Sequence, residues 1–239
     1  METPLVLSAA VEGVVDEAVL RKICREAEMQ VGAVYGRSGK SHLRQRIHGY
    51  NQAASHHWWV VLVDLNNEAV CAPQLKAAWA PHPSEKLIFR VAVRSVEAWL
   101  LADRESIAKF LAVPLQRVPI DPEDLPNPKQ TMIELAKSSH KREIREDTVP
   151  RAAGGHSEGA AYASRMIEFV ENYWRPDIAA HTSDSLRRCI KRLKEIQQRY
   201  KEAQRVTYKI DVHDISDVGT VCPLVRSACP ATGRNAASL

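Results

Sequence analysis

Three strand ends in this sequence carry acidic residues spaced for metal-assisted phosphate chemistry. Glu12-Gly13 closes the apolar segment Leu5 to Val11. A carboxylate there is costly unless it faces a cleft, a partner or a metal. In open α/β sheets, ligands bind beyond the carboxyl ends of the strands, which is where Glu12 falls. Gly13 lets the backbone turn tightly at that point. Asp16 and Glu17 follow in the first turn of the next helix, where acidic side chains also complement the helix dipole. Asp64-Leu65-Asn66 closes a second, strongly apolar run, Trp58 to Val63. Residues i and i+2 of an extended chain point the same way, so Asp64 and Asn66 can offer two oxygens to one hard cation. Magnesium needs only one or two carboxylates besides water and phosphate oxygens. Asp and Asn are equally common in strand-ending turns. Arg94, Glu97 and Trp99 follow a third strand, with Glu97 as a further acidic group or as half of an ordinary Arg-Glu pair.

Basic residues supply the complementary chemistry. Gly36-Arg37-Ser38-Gly39-Lys40-Ser41 ends like a phosphate loop, but the pattern needs glycine where this chain has Val34, so no ATP site is expected. Arg37 and Lys40 can still meet a phosphate backbone, or form a solvated helix face together with Arg44 and Arg46. A last helix from Ser183 or Asp184 carries a strongly basic face, open to solvent, nucleic acid or an acidic partner. The histidines form no HExxH motif, and no nucleophile elbow or paired Cys-His signature is present.

These side chains must be positioned by α/β architecture. Leu5–Val11, Val31–Tyr35, Trp58–Val63 and Leu87–Val93 read as strands. Helices are expected at about 16–29 and 40–56, so the chain alternates as βαβ units do. The unbroken apolar run at Trp58–Val63 marks a central strand buried on both faces. From Val96 onward no strand is expected. Helices are read at Val96–Ala102, from the cap Asp103 to Leu111, from Asn127-Pro128, at Tyr162–Tyr173, and from Ser183 or Asp184 to about Arg205. The proline-rich segment Val113–Pro128 reads as an irregular connector.

The 239 residues suit one domain with an addition, and 45% hydrophobic with 26% charged residues is globular composition. No run of 18 apolar residues occurs, so no membrane span is expected. The N-terminus lacks a basic region of the signal-peptide kind, and a cytoplasmic location is expected. Cys24, Cys71, Cys189, Cys222 and Cys229 match no zinc spacing and read as reduced thiols. Net charge is only +4, from 33 basic and 29 acidic residues. That sum averages the acidic strand ends with basic segments at 37–46, 137–145 and 187–205.

Glu12-Gly13 after one strand and Asp64-x-Asn66 after the central one resemble the glutamate and DxD signature of TOPRIM folds. Those folds occur in topoisomerases, primases and the overcoming-lysogenization-defect nucleases, where the carboxylates hold Mg²⁺ for phosphodiester chemistry. More of the chain resembles the bacterial domain-of-unknown-function family 4276. The likeness runs through Val11-Glu12-Gly13, Val34-Tyr35-Gly36, Gly49-Tyr50-Asn51 and the long motif Val93 to Asp103. It continues in Asn127-Pro128-Lys129, Ile144-Arg145-Glu146, Tyr162, Arg165 to Phe169, Trp174-Arg175-Pro176 and Ser185-Leu186, covering about residues 5–195. One departure matters: TOPRIM sites usually carry a second aspartate where this chain has Asn66, a neutral oxygen donor.

The resemblance implies a TOPRIM-like, mostly parallel sheet flanked by helices over 1–112; the residue pattern adds a helical C-terminal extension over 113–205 and an irregular or disordered tail over 206–239. It implies a Mg²⁺- or Mn²⁺-dependent nuclease of a bacterial, phage-defence type, acting on DNA or RNA. Glu12, Asp64, Asn66 and Glu97 are then the catalytic residues, with metal held by Glu12, Asp16, Asp64 and Asn66. Arg37, Lys40 and Lys129 are the expected phosphate contacts. An ABC-type or AAA-type ATPase partner and a homo-oligomer are further expectations. The alternative is a non-catalytic subunit with a degenerate site, binding nucleic acid or the ATPase.

Overall fold

The computed structural model describes residues 3–151 and 155–216. Four strands alternate with helices: β1 (Val6–Val11), α1 (Val14–Glu26), β2 (Gln30–Gly36), α2 (Lys40–Ala53), β3 (Trp59–Asp64), α3 (Ala72–Trp79) and β4 (Leu87–Ala92). Helices follow: α4 (Val96–Ala102), α5 (Arg104–Leu111), α6 (Pro128–Lys137), α7 (Arg142–Thr148), α8 (Tyr162–Asn172), α9 (Pro176–Ala179) and α10 (Asp184–Ser216). Short 3-10 turns at Leu115–Arg117 and Pro122–Asp124 occupy the proline-rich connector. Among the described residues none after Ala92 is in a strand, as expected. Residues 217–239, with Cys222, Cys229 and most of the expected tail, lie outside the described residues.

The protein is an α/β structure built on one all-parallel sheet in the order β2-β1-β3-β4. Parallel sheets need cover on both faces, and the side-chain alternation of β3 supplies it. Val60 and Leu62 join one apolar core with Leu7, Ala9 and Val11 of β1, helices α1, α4, α5, α6 and α8, and the first part of α10. Trp59, Val61 and Val63 join a second core with Ala10, α2 and α3. The first core takes in residues from Leu5 to Ile196, so the helices after β4 share it with the sheet. Contacts divide the chain into two units, Met1–Tyr200 and Lys201–Leu239. The described part of the second is the continuation of α10.

Local chemistry sets the boundaries. Asp103 caps α5 by accepting the Ser106 N–H, and Asn127 caps α6 by accepting the Gln130 N–H at 3.0 Å. Asp103 is fully buried, and Arg175 clamps it through Nε and Nη2 at 3.0 and 2.6 Å. Gly36 ends β2 at φ +88°, where a Cβ would stand 2.3 Å from the Val11 carbonyl oxygen. Only glycine lets β2 close against β1 there. Among the described residues no helix is long and apolar enough to cross a membrane.

Candidate functional site

Strand order locates the site. From β1 the chain moves outward to β2 on one side, then crosses back to β3 on the other. The crevice beyond the ends of β1 and β3 is thus the switch point at which open α/β sheets bind ligands. Val11 is in register with Leu62, so Glu12 and Asp64 emerge as neighbours at that crevice. The Asp64 backbone N–H donates to Glu12 Oε1 at 2.8 Å, joining the two strand ends. Asp64 Oδ1 in turn accepts the N–H of Val96, the first residue of α4, at 3.0 Å.

A cavity of about 560 Å³ opens here, lined by Glu12, Asp16, Asp64, Asn66, Glu97 and Lys129 among others. The size lies within the usual range for small-ligand sites. Asp16 comes from the first turn of α1 and is only 7% exposed, with its Oδ1 lacking any hydrogen-bond partner. Glu97, from α4, is 6% exposed and is held at both oxygens. Oε2 accepts from Ser95 Oγ at 2.7 Å and Oε1 from the Tyr162 hydroxyl at 3.2 Å.

The acids perturb one another. Burial, then the charges of Glu12 and Glu97, push the Asp16 carboxyl up to about 8. Burial, then Asp16, Glu97 and Glu12, hold Asp64 well above the usual carboxylate range. Burial also raises Glu12, against the lowering effect of its contact with the Asp64 N–H and of the nearby Lys40. Burial and Glu97 raise the Tyr162 phenol, so it stays a donor at neutral pH. Gathering this much negative charge out of water is unfavourable without a cation or protons to offset it.

The cationic residues are distributed differently. Lys129 lines the cavity, paired with Glu158, its ammonium 5.0 Å from the centre of the Tyr162 ring. Lys40 instead donates to the carbonyls of Asp64 (2.5 Å) and Leu65 (3.3 Å) and pairs with Glu68 at 2.9 Å. Arg37 is exposed, donates to the Val34 carbonyl and pairs with Glu17 at 3.2 Å. Neither lines the acidic cavity. Asn66 is exposed at its edge with φ +47°, a conformation Asn tolerates better than most residues. Arg94 donates to the Asn66 carbonyl at 3.0 Å. Arg94 and Glu97 therefore take different partners.

Sequence reasoning gave no site role to Ser95, Tyr162, Glu158 or Glu68. Ser95 carried a local signal, lying two residues before Glu97. Tyr162 and Glu158 reach the cavity because α8 packs on α1, a long-range fact that no local pattern encodes. Glu68 collects Lys40, Arg44 at 3.2 Å and the Trp79 indole N–H at 2.9 Å, and these partners lower its carboxyl despite some burial.

Among the described residues no group of three or more His, Cys, Asp or Glu converges as a metal-holding set. The acids share a cavity, but one oxygen of Glu12 and one of Asp64 face backbone N–H donors. Comparison with protein-family models, curated proteins and solved structures finds no match to this chain.

Proposed function

We propose that this protein is a divalent-metal-dependent nuclease of the TOPRIM-like kind, hydrolysing phosphodiester bonds of DNA or RNA. The observation that carries the reading is Asp16 Oδ1, a buried carboxylate oxygen without a partner, on a cavity also lined by Glu12, Asp64 and Glu97. A set of hard oxygen donors suits Mg²⁺ or Mn²⁺, and a cation would offset the burial and the mutual repulsion that raise Asp16 and Asp64. Glu12, Asp16 and Asp64 would have to draw together to hold it, with Asn66 as a neutral oxygen beside them. When bound, the metal supplies Lewis-acid polarisation of a phosphoryl oxygen and a water acidic enough to act as nucleophile.

The chain's own residues prepare the site. The Asp64 N–H fixes the Glu12 carboxylate at the joint between β1 and β3. Ser95 and Tyr162 hold Glu97 on the cavity wall. Lys129 offers a positive charge to a phosphate once one displaces Glu158. Lys40 holds the end of β3 in place through its carbonyls. Arg37 remains a peripheral phosphate contact. A defence-type role beside an ABC-type or AAA-type ATPase, in the cytoplasm of a bacterium, belongs to the same reading through the resemblance.

A second reading is favoured by two observations: among the described residues no three acids converge as a metal-holding set, and Asn66 stands where a second aspartate is usual. It makes the protein a non-catalytic subunit that binds nucleic acid or the ATPase. Cleavage assays on plasmid, linear DNA and RNA with Mg²⁺ or Mn²⁺ separate the two. The nuclease reading expects metal-dependent cleavage that Glu12→Gln and Asp64→Asn each reduce at least ~100-fold, beyond what losing a mere supporting contact costs. Cleavage that survives both substitutions removes the assignment.

A further inference from the structure

β4 is an edge strand, and its first half carries a second cavity away from the acidic one. Leu87, Ile88, Phe89 and Arg90 form its strand wall, Lys76 comes from α3 and Arg192 from α10. Lys76, Arg90 and Arg192 thus meet from three elements, and no carboxylate lines the cavity. All three are partly buried, and Arg90 Nε is buried without a hydrogen-bond partner. Arg192 has Glu195 at 3.6 Å and the neighbouring Arg188 has Asp184 at 2.5 Å, both partners along α10 itself. Burial, then Arg90, with Arg188 and Arg192 further on, lowers the Lys76 ammonium to about 8. Like charges gathered in a partly dry notch repel strongly, a cost that a bound anion would offset.

Size narrows the class of anion. The cavity is about 200 Å³, room for about seven waters at ~30 Å³ each. That is below the ~300 Å³ at which pockets begin to enclose drug-sized molecules. It suits one hydrated oxyanion group and excludes a whole enclosed nucleotide. Two arginines and a lysine are the side chains best suited to a phosphate.

We infer that the Lys76, Arg90 and Arg192 notch binds a single phosphate-class oxyanion, either free phosphate or one backbone phosphate of a nucleic-acid strand. The inference does not depend on the metal site. It is tested on the full chain by phosphate-dependent thermal stabilisation, with sodium chloride of equal ionic strength as reference. Anisotropy with labelled single-stranded DNA forms the second arm. Lys76→Gln and, separately, Arg192→Gln are expected to weaken phosphate binding at least tenfold, while Lys76→Arg retains it. DNA that competes with phosphate identifies the strand as the source, and DNA that does not compete identifies free phosphate. Arg192→Gln, a change on a half-exposed helix position, keeps the test valid if Lys76→Gln fails to fold. Wild-type phosphate affinity in a folded Lys76→Gln or Arg192→Gln protein overturns the inference. So does a chloride effect as large as that of phosphate, or binding of an acidic peptide with none of phosphate.

Discussion

The backbone N–H of Asp64 donates to the Glu12 carboxylate at 2.8 Å, so the acid that follows β1 is joined directly to the end of β3 at the sheet's switch point. Glu12 therefore has a structural duty besides any ligand. Glu12→Gln keeps an acceptor oxygen for the Asp64 N–H and should fold with near-normal stability. Glu12→Ala leaves that donor without its partner and should cost about 1–3 kcal/mol in urea unfolding. Equal stabilities for the two variants would show that the contact contributes nothing.

Asp16 sets a pH dependence with a definite sign. Its folded carboxyl sits at about 8, raised by burial and by Glu12 and Glu97, whereas an unfolded Asp titrates near ~4. The folded state then binds the proton more tightly, so its contribution to stability is full below about pH 4 and is lost as pH rises through about 8. The metal-free protein should melt at lower temperature at pH 8 than at pH 5, and Asp16→Asn should flatten that decline. Because metal competes with the proton, Mg²⁺ should raise the melting temperature more at pH 8 than at pH 5.

Tyr162 tests how Glu97 is held. Its hydroxyl donates to Glu97 Oε1 at 3.2 Å inside the core. Tyr162→Phe keeps the ring and the packing but removes that donor from a buried carboxylate. The expected loss is about 1–3 kcal/mol, read by chemical denaturation. A loss under ~0.5 kcal/mol would mean that Ser95 alone satisfies Glu97.

Two glycines should respond with opposite signs. A Cβ at Gly159 would stand 2.3 Å from the Asp147 carbonyl oxygen, so Gly159→Ala must displace the loop that carries Glu158 beside Lys129. It should cost about 1–3 kcal/mol. Gly49 lies inside α2, where a Cβ meets nothing within 4 Å. Gly49→Ala should stabilise by about 0.5–1 kcal/mol, since alanine is the better helix former. Thermal melts of the two variants side by side check both signs.

Much of the fold was legible because it is written locally. The apolar run at β3 carries residues for two cores in alternation, and Asp103 and Asn127 announce the helices they cap. Helices α3, α7 and α9 were not foreseen, since none shows the unbroken apolar run that announced α4 or the capping Asp or Asn that announced α5 and α6. Strand-end chemistry exposed Glu12, Asp64 and Glu97, and first-turn position exposed Asp16. The sequence also showed Arg37 and Lys40 as basic, but not that Glu17, Glu68 and the carbonyls ending β3 engage them. Those partners come from distant segments, as does Tyr162. The Lys76, Arg90 and Arg192 notch was hidden for the same reason, because three separate elements build it.

In the proposed site the carboxylates at the ends of β1 and β3 share a metal. Anomalous diffraction from crystals soaked in Mn²⁺ tests it most directly. An ion is expected in the cavity with Glu12 and Asp64 both as ligands, absent from Asp64→Asn crystals soaked in the same way. A well-ordered cavity without manganese, or an ion bound away from both residues, would contradict it.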